Sequence, residues 1–176
     1  NARIEVDRKN GAYCMKKRIQ FDPSGIEYIS NKSSEMKALI DLLGEIETYY
    51  IEDPFTALVN QIIYQSISFK AANTIWERFY DNFAPITPLS IINRTQEELK
   101  HSGLSNSKAR YIHNVANAFL DHSINLNFNS LSDQEVIDEV TKIKGIGLWS
   151  AQMFLIFCLN RPNVISYGDF AIRRAI

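Results

Sequence analysis

Cysteine is scarce in this sequence, and its scarcity excludes several kinds of site. The 176 residues contain two cysteines, Cys14 and Cys158, and neither belongs to a Cys-x-x-Cys pair or a Cys/His cluster. The spacing excludes a zinc finger and argues against an iron–sulfur cluster, so we expect no cofactor. Two unpaired cysteines suit a reducing compartment, where disulfides rarely form.

Long apolar runs and an excess of one charge are also missing. The longest apolar run, Met153 to Leu159, is far too short to cross a bilayer, which needs roughly 20 residues. No signal-peptide pattern is present, and we expect no membrane partner. With 19 basic and 20 acidic residues the net charge is −1. A nucleic-acid partner can therefore be argued only from a local cluster of basic side chains.

The length is that of one domain, or slightly more, with a sizeable core. Asn1-Ala2 resembles an expression scar. Ile176 falls inside an expected helix without a stop signal. We therefore expect the native chain to continue beyond Ile176.

Helix signals dominate after residue 21, and the predicted fold class is all-α. Met36, Leu39, Ile40 and Leu43 follow helical spacing and give one apolar face. Further helices are indicated by caps or by apolar faces, at Asp53-Pro54, Ser68, Thr87-Pro88, Thr95 with Glu98, Ala109 to Phe119, and Ser132 with Glu135.

The only β signal lies in residues 3–21. Arg3-Ile4-Glu5-Val6 alternates polar and apolar residues, and Asn10-Gly11 is a hairpin-turn pair. The segment is either a short β-hairpin or a loosely ordered arm. We assign residues 1–30 to an N-terminal arm or a partial extension.

Residues 141–176 hold the local excess of basic charge. The only acid there is Asp169, and the basic residues are Lys142, Lys144, Arg161, Arg173 and Arg174. The same stretch contains the turn Gly145-Ile146-Gly147, after which a helix is expected to start at about Leu148. Glycines allow a close approach, and the free amides of a helix start bind phosphate. The alternative is an ordinary tight connection between two helices.

Four ordered segments resemble the helix–hairpin–helix DNA glycosylases. Ile143 to Ala151 resembles the family hairpin L-P-G-[IV]-G-x-x-[TS]-A, and Tyr167 to Arg174 resembles the Asp and short basic helix that follow it. Asp53 to Ala72 resembles P-F-x-x-L-[VI]-x-x-I-x-x-Q-Q-x-S-x-x-A-A. Gly103 to Tyr111 resembles G-[LF]-S-x-x-K-A-x-x-[IL]. The likeness runs from about residue 35 to residue 176.

This resemblance implies a helical fold of two subdomains with a cleft between them. Residues 31–176 would form the glycosylase domain, with a six-helix subdomain at about 54–166 and the remainder from 31–53 and 167–176. The implied partner is double-stranded DNA with damaged bases, bound by a monomer. The implied location is the cytoplasm, with the nucleoid, in a bacterium and the nucleus in a eukaryote.

Trp149 decides which branch of the family the sequence resembles. In bifunctional members, of the endonuclease III type, a lysine stands two residues after the second hairpin glycine and forms a Schiff base with the sugar. An indole cannot do this. Trp149 resembles instead the 3-methyladenine glycosylase II branch, whose members remove alkylated purines in base excision repair with water as the nucleophile and without lyase activity.

The resemblance also implies roles for the residues of the site. Asp169 would stabilise the oxocarbenium-like sugar and activate water. Trp149 would stack on the flipped cationic base, where cation–π attraction favours a charged base by ~1–2 kcal/mol. Met153 and Tyr64 would line the same pocket. Without the family, Asp169 reads as a helix N-cap, and Trp149 and Met153 read as core residues.

Three segments are expected to contact DNA, and the last of them reads equally well as a solvated face. These residues are Lys142, Lys144, Gly145, Gly147 and Leu148 of the hairpin, Gln65, Ser66, Ile67 and Ser68 of the loop, and Arg173 and Arg174. The family's Gln-Gln pair is Gln65-Ser66 here. In the family, this loop supplies the side chain that inserts into the DNA helix where the flipped base leaves a gap. Because serine is too small to fill that gap well, Ile67 or an unmatched residue would do so.

No side chain indicates a metal site. The family hairpin can hold a monovalent cation through turn carbonyls, which here would be those of Ile143 and Ile146.

Two alternatives to an alkylpurine glycosylase stay open. One is a non-catalytic helix–hairpin–helix module that binds DNA, and the other is a glycosylase for a deaminated or oxidised base. Asp169 favours an enzyme, since a module without chemistry does not need that carboxylate.

Overall fold

A computed structural model describes residues 16–175 of the chain. This part is mostly helical, which confirms the all-α prediction, and it also contains one small antiparallel pair of strands. The predicted hairpin at Asn10-Gly11, the alternating segment Arg3 to Val6, and Cys14 lie outside the described residues.

Ten α-helices, two strands and one 3-10 helix, Phe128–Ser130, make up residues 16–175. In chain order the helices and strands are β1 (Lys16–Arg18), α1 (Pro23–Lys32), α2 (Ser34–Leu43), β2 (Tyr49–Ile51), α3 (Pro54–Tyr64), α4 (Phe69–Phe83), α5 (Pro88–Ile92), α6 (Gln96–Lys100), α7 (Asn106–Leu120), α8 (Asp133–Thr141), α9 (Leu148–Phe157) and α10 (Phe170–Ala175).

Strands β1 and β2 pair antiparallel, with Lys17 opposite Tyr50. The expectation that residues 3–21 hold the only β structure is therefore wrong, because β2 lies at Tyr49–Ile51. A strand of three residues is too short to show the alternation on which a sequence prediction depends. Its partner also lies far away in the chain, so no local turn signal marks the pair.

Side-chain caps start α1 to α8, and five of them are the caps that the sequence predicted, at Asp53, Ser68, Thr87, Thr95 and Ser132. The caps of α1, α2 and α7 were not predicted, and α1 falls mostly within residues 1–30, which were assigned to an arm or a partial extension. The hydroxyl or carboxylate of the residue before each of α1 to α8 accepts a backbone N–H of the first turn. Both predicted capping boxes form, Thr95 with Glu98 and Ser132 with Glu135. These bonds satisfy amides that a helix start would otherwise leave without a partner.

The core lies between β2 and the end of α9, and α3 runs through it. Nine of the 11 residues of α3 are buried, and the helix packs against α4, α7 and α9. Aromatic rings pack against one another in this core, with Phe55 of α3 edge-on to Phe119 at 5.3 Å and Phe128 edge-on to Phe154 at 5.1 Å between ring centroids. A helix buried on nearly all sides is a rigid support, so α3 can hold functional side chains at fixed positions.

Helix α2 forms as the apolar spacing predicts, but none of its residues is buried. Met36, Leu39 and Leu43 are 40%, 44% and 55% exposed, and α2 packs mainly on α1. The spacing therefore predicted the helix correctly without fixing how deeply it would pack. The subdomain boundaries proposed at residues 54 and 166 stay predictions.

Cys158 is buried and free. Burial raises the pKa of its thiol to about 12, so the sulfur stays protonated at neutral pH and Cys158 serves as a small core residue.

Across residues 16–175, no cluster of His, Cys, Asp and Glu side chains has the arrangement of a metal site. Over the same residues, none of the helices combines the length and apolar content needed to cross a membrane.

Gly145 turns the chain between α8 and α9 with φ at +114°, and a Cβ there would overlap the ring of Tyr111. Both the positive φ angle and the lack of space for a Cβ therefore require glycine at this position. We expect G145A to lower the free energy of unfolding by about 1–3 kcal/mol, measured by denaturant unfolding.

G147S is the matched control for that measurement. Gly147 has φ at −99° and nothing lies within 4 Å of an added Cβ. Serine is also a good N-cap, so the stability of G147S should stay within about 0.5 kcal/mol of wild type. If G145A and G147S lowered the free energy of unfolding by equal amounts, the conclusion that only Gly145 is structurally required would be contradicted.

Candidate active site

Several of the predicted site residues lie at or beside the first turn of α9. Its N-cap is Gly147, which has no side chain to occupy the amides of the turn, whereas α1 to α8 all have side-chain caps. Gly147 and Leu148 are exposed, so a group outside the protein can reach these amides. This geometry supports the predicted phosphate contact at the hairpin.

Gln65, at the end of α3, holds the hairpin in place. Its Nε2 donates to the carbonyl of Gly145 at 3.0 Å and to Oγ of Ser150 at 2.8 Å. Gln65 is one of the residues predicted to contact DNA, and in the structure its amide nitrogen donates within the protein. As a result the exposed loop Ser66–Ser68 lies next to the hairpin, although the two segments are distant in the chain.

Helix α7 supports the hairpin from the other side. Asn114 Nδ2 donates to the carbonyl of Lys144 at 2.8 Å, and the ring of Tyr111 packs on Gly145. The carbonyl of Ile143 accepts the N–H of Ile146 at 3.0 Å, which uses one of its two lone pairs. The cation site proposed at Ile143 and Ile146 stays a prediction.

Asp169 is half-buried and bound on both carboxylate oxygens. Trp149 Nε1 donates to Oδ2 at 2.7 Å, and the amides of Ala171 and Ile172 donate to Oδ1 at 2.8 and 3.2 Å. Asp169 is therefore the N-cap of α10, as the structural interpretation of the sequence predicted, and it also contacts the first turn of α9. The Trp149 hydrogen bond, above all, holds the pKa of this carboxyl below its usual range.

A cavity of about 420 Å³ lies beside this pair. Trp149, Met153 and Tyr64, the three predicted base-binding residues, all line it. Met153 is 9% exposed, so it is at once a core residue and part of the wall. A second cavity, of about 380 Å³, lies among β1, α1 and α2, and none of the predicted site residues lines it.

Sequence reasoning missed several residues of the cavity wall. Phe69 is 73% exposed and meets Tyr64 edge-on at 5.8 Å between ring centroids. Asn60 and Gln61 reach the cavity from α3. A usable signal was present, because Asn60 and Tyr64 are four residues apart and so share one face of the helix.

The basic residues of the last stretch have different roles. Arg161 donates to the carbonyls of Phe128 and Leu131 at 3.2 and 2.9 Å, so it ties the end of α9 to the 3-10 helix. Lys142 pairs with Glu139 at 2.6 Å, and the lysine side chain is exposed whereas that of Glu139 is partly buried. Three further basic residues are exposed and remain candidates for DNA contact: Lys144, Arg173 and Arg174.

The comparisons with known proteins agree with this geometry. The profile of the HhH-GPD superfamily base excision DNA repair proteins matches residues 59–176. DNA-3-methyladenine glycosylase 1 of Schizosaccharomyces pombe is 31% identical over 154 residues, which cover 83% of this chain and 68% of the relative.

Two solved structures also resemble the chain closely. The S. pombe 3-methyladenine DNA glycosylase in complex with abasic DNA has a TM-score of 0.79 and 30% identity, over 85% of this chain and 77% of the other. A DNA-3-methyladenine glycosidase from Bacillus halodurans has a TM-score of 0.71 and 30% identity, over 90% and 74%. A profile match across more than half of the chain, on a hairpin that the structure forms, shows that the chain belongs to the HhH-GPD superfamily of base excision DNA repair proteins.

Proposed function

We propose that the chain is a monofunctional DNA glycosylase that hydrolyses the N-glycosyl bond of alkylated purines. One observation carries the proposal. Trp149 lines the cavity and also donates its N–H to Asp169, so a base-sized pocket adjoins an ionised carboxylate. The names of the S. pombe and B. halodurans relatives supply the substrate class.

The cavity suits a flipped base. Its volume of about 420 Å³ falls within the ordinary range for small-ligand pockets. Aromatic rings of Tyr64, Phe69 and Trp149 form part of the wall. A purine alkylated at N3 or N7 carries positive charge, and cation–π attraction to these rings favours it over a neutral base.

The Asp169 carboxylate has the charge needed to stabilise the sugar during the reaction. As the alkylated base leaves, positive charge develops on the sugar, and an ionised Asp169 would stabilise it and activate the attacking water. Trp149 and the amides at the start of α10 fix both oxygens of that carboxylate. A fixed charge needs little reorganisation during the reaction, which makes its stabilisation more effective.

Among the described residues that line this cavity, none has an amine that could begin lyase chemistry. A Schiff base with the sugar requires a lysine or an N-terminal amine. The described residues that line the cavity include no lysine, and Trp149 stands at the position where bifunctional relatives would need one. We therefore infer that the product is an intact abasic site.

D169N tests the catalytic assignment. Asparagine is a good N-cap, so α10 should still form, but the negative charge at the sugar is lost. We expect single-turnover release of methylated bases from duplex DNA to fall by about 10²-fold or more, with DNA binding by fluorescence anisotropy retained.

Equal release by D169N and wild type would overturn the role of Asp169. Absence of release by wild-type protein on methylated DNA would favour instead the non-catalytic module or a different lesion. Circular dichroism of both proteins checks that the substitution leaves the helices intact.

W149F tests the link between pocket and carboxylate. Phenylalanine keeps a stacking ring but cannot donate to Asp169, so the pKa of that carboxyl should rise toward its ordinary value. The carboxylate is active when ionised, and the acid limb of the pH–rate profile should therefore move to higher pH. An unshifted acid limb would show that the hydrogen bond does not set this ionisation.

G147D tests the hairpin as a phosphate site. Asp and Asn are equally good N-caps, so G147D and G147N should be equally stable, but only G147D places an anion where the phosphate would bind. We expect the affinity for undamaged duplex DNA to fall further in G147D than in G147N, with a larger deficit at low salt. Matching affinities in the two variants would count against this contact.

A further inference from the structure

The α3 side of the cavity holds a polar group that the chemistry above does not use. Asn60 lines the cavity with a side chain that is only 9% exposed. Its Nδ2 is enclosed and has no hydrogen-bond partner. Asn60 is thus a nearly buried amide that the fold itself leaves unsatisfied.

Such a group is costly, and other amides of the region avoid the cost. Gln65 donates to Gly145 and Ser150, and Asn73, which lines the same cavity, accepts the hydroxyl of Tyr64. Buried polar groups in folded proteins are nearly always paired, so an unpaired one next to a pocket points to a partner that arrives with the ligand.

We propose that the Asn60 amide recognises the edge of the flipped base and favours an adenine edge over a guanine edge. This inference rests on the proposed function. An Asn side chain presents an acceptor and a donor side by side, which matches N6 and N7 of adenine. Because no protein partner fixes it, the amide can turn about its broad χ2 torsion toward the cavity.

The match divides the alkylated purines into two classes. Alkylation of adenine at N3 leaves the N6 donor and the N7 acceptor free for Asn60. Alkylation of guanine at N7 removes the N7 acceptor, and guanine has an acceptor where adenine has the N6 donor. The chain should therefore favour N3-alkylated adenine beyond the difference that bond lability alone produces.

N60L tests this inference, since leucine has a similar size and no polar group. The measured quantity is the ratio of single-turnover release rates for 3-methyladenine and 7-methylguanine from duplex DNA. Comparing the ratio between N60L and wild type cancels the different lability of the two bonds. We expect the ratio to fall about tenfold in N60L, mainly through slower release of 3-methyladenine.

Thermal unfolding separates recognition from a structural role. Removing an unsatisfied buried amide should leave the melting temperature of N60L unchanged or raise it. A lower melting temperature together with a parallel loss on both bases would make Asn60 a structural residue and overturn the inference. A release ratio equal to that of wild type would overturn it as well.

N73L is the matched control, because Asn73 lines the same cavity with an amide oxygen that is already bonded. Its substitution should change both release rates by the same factor, and a ratio shift equal to that of N60L would overturn the assignment to Asn60. If wild-type protein releases neither base, the proposed function itself fails. If it releases both and N60L keeps their ratio, only the role of Asn60 fails.

Discussion

The indole of Trp149 donates a hydrogen bond to Asp169, and the geometry of the candidate site depends on that contact. It joins the first turn of α9 to the first turn of α10, 20 residues later, at 2.7 Å. The donor, Trp149, forms part of the cavity wall, and the acceptor, Asp169, provides the carboxylate. A single side chain thus links the wall of the cavity to the Asp169 carboxylate.

The parts around this contact are held by amide side chains more than by ion pairs. Gln65 anchors the hairpin to the end of α3, and Asn114 anchors it to α7. Neutral amides can be enclosed at far lower cost than charges. Lys108 also donates to a backbone carbonyl, that of Ile63 at the end of α3.

The two glycines of this short turn are under different structural constraints. Gly145 is required by its backbone angle and by its contact with Tyr111, while Gly147 lies in extended backbone with open space beside it. The first glycine makes the turn, and the second leaves the amides of α9 accessible. Asn60 differs from Gln65 and Asn114, because its Nδ2 has no hydrogen-bond partner among the described residues and its side chain lines the cavity.

The sequence by itself indicated most of the helices, five of their caps, the Gly145–Gly147 turn and Asp169 and Trp149 as candidate site residues, because these signals are local and the helical ones repeat at helical spacing. It did not indicate α1 at Pro23–Lys32. Tertiary structure alone decided the pairing of β2 with β1, the exposure of α2, the Trp149–Asp169 hydrogen bond and the internal use of Gln65. It also brought Asn60 and Phe69 to the cavity. Each of these depends on segments far apart in the chain, and spacing along one segment carries no information about which other segment will pack against it.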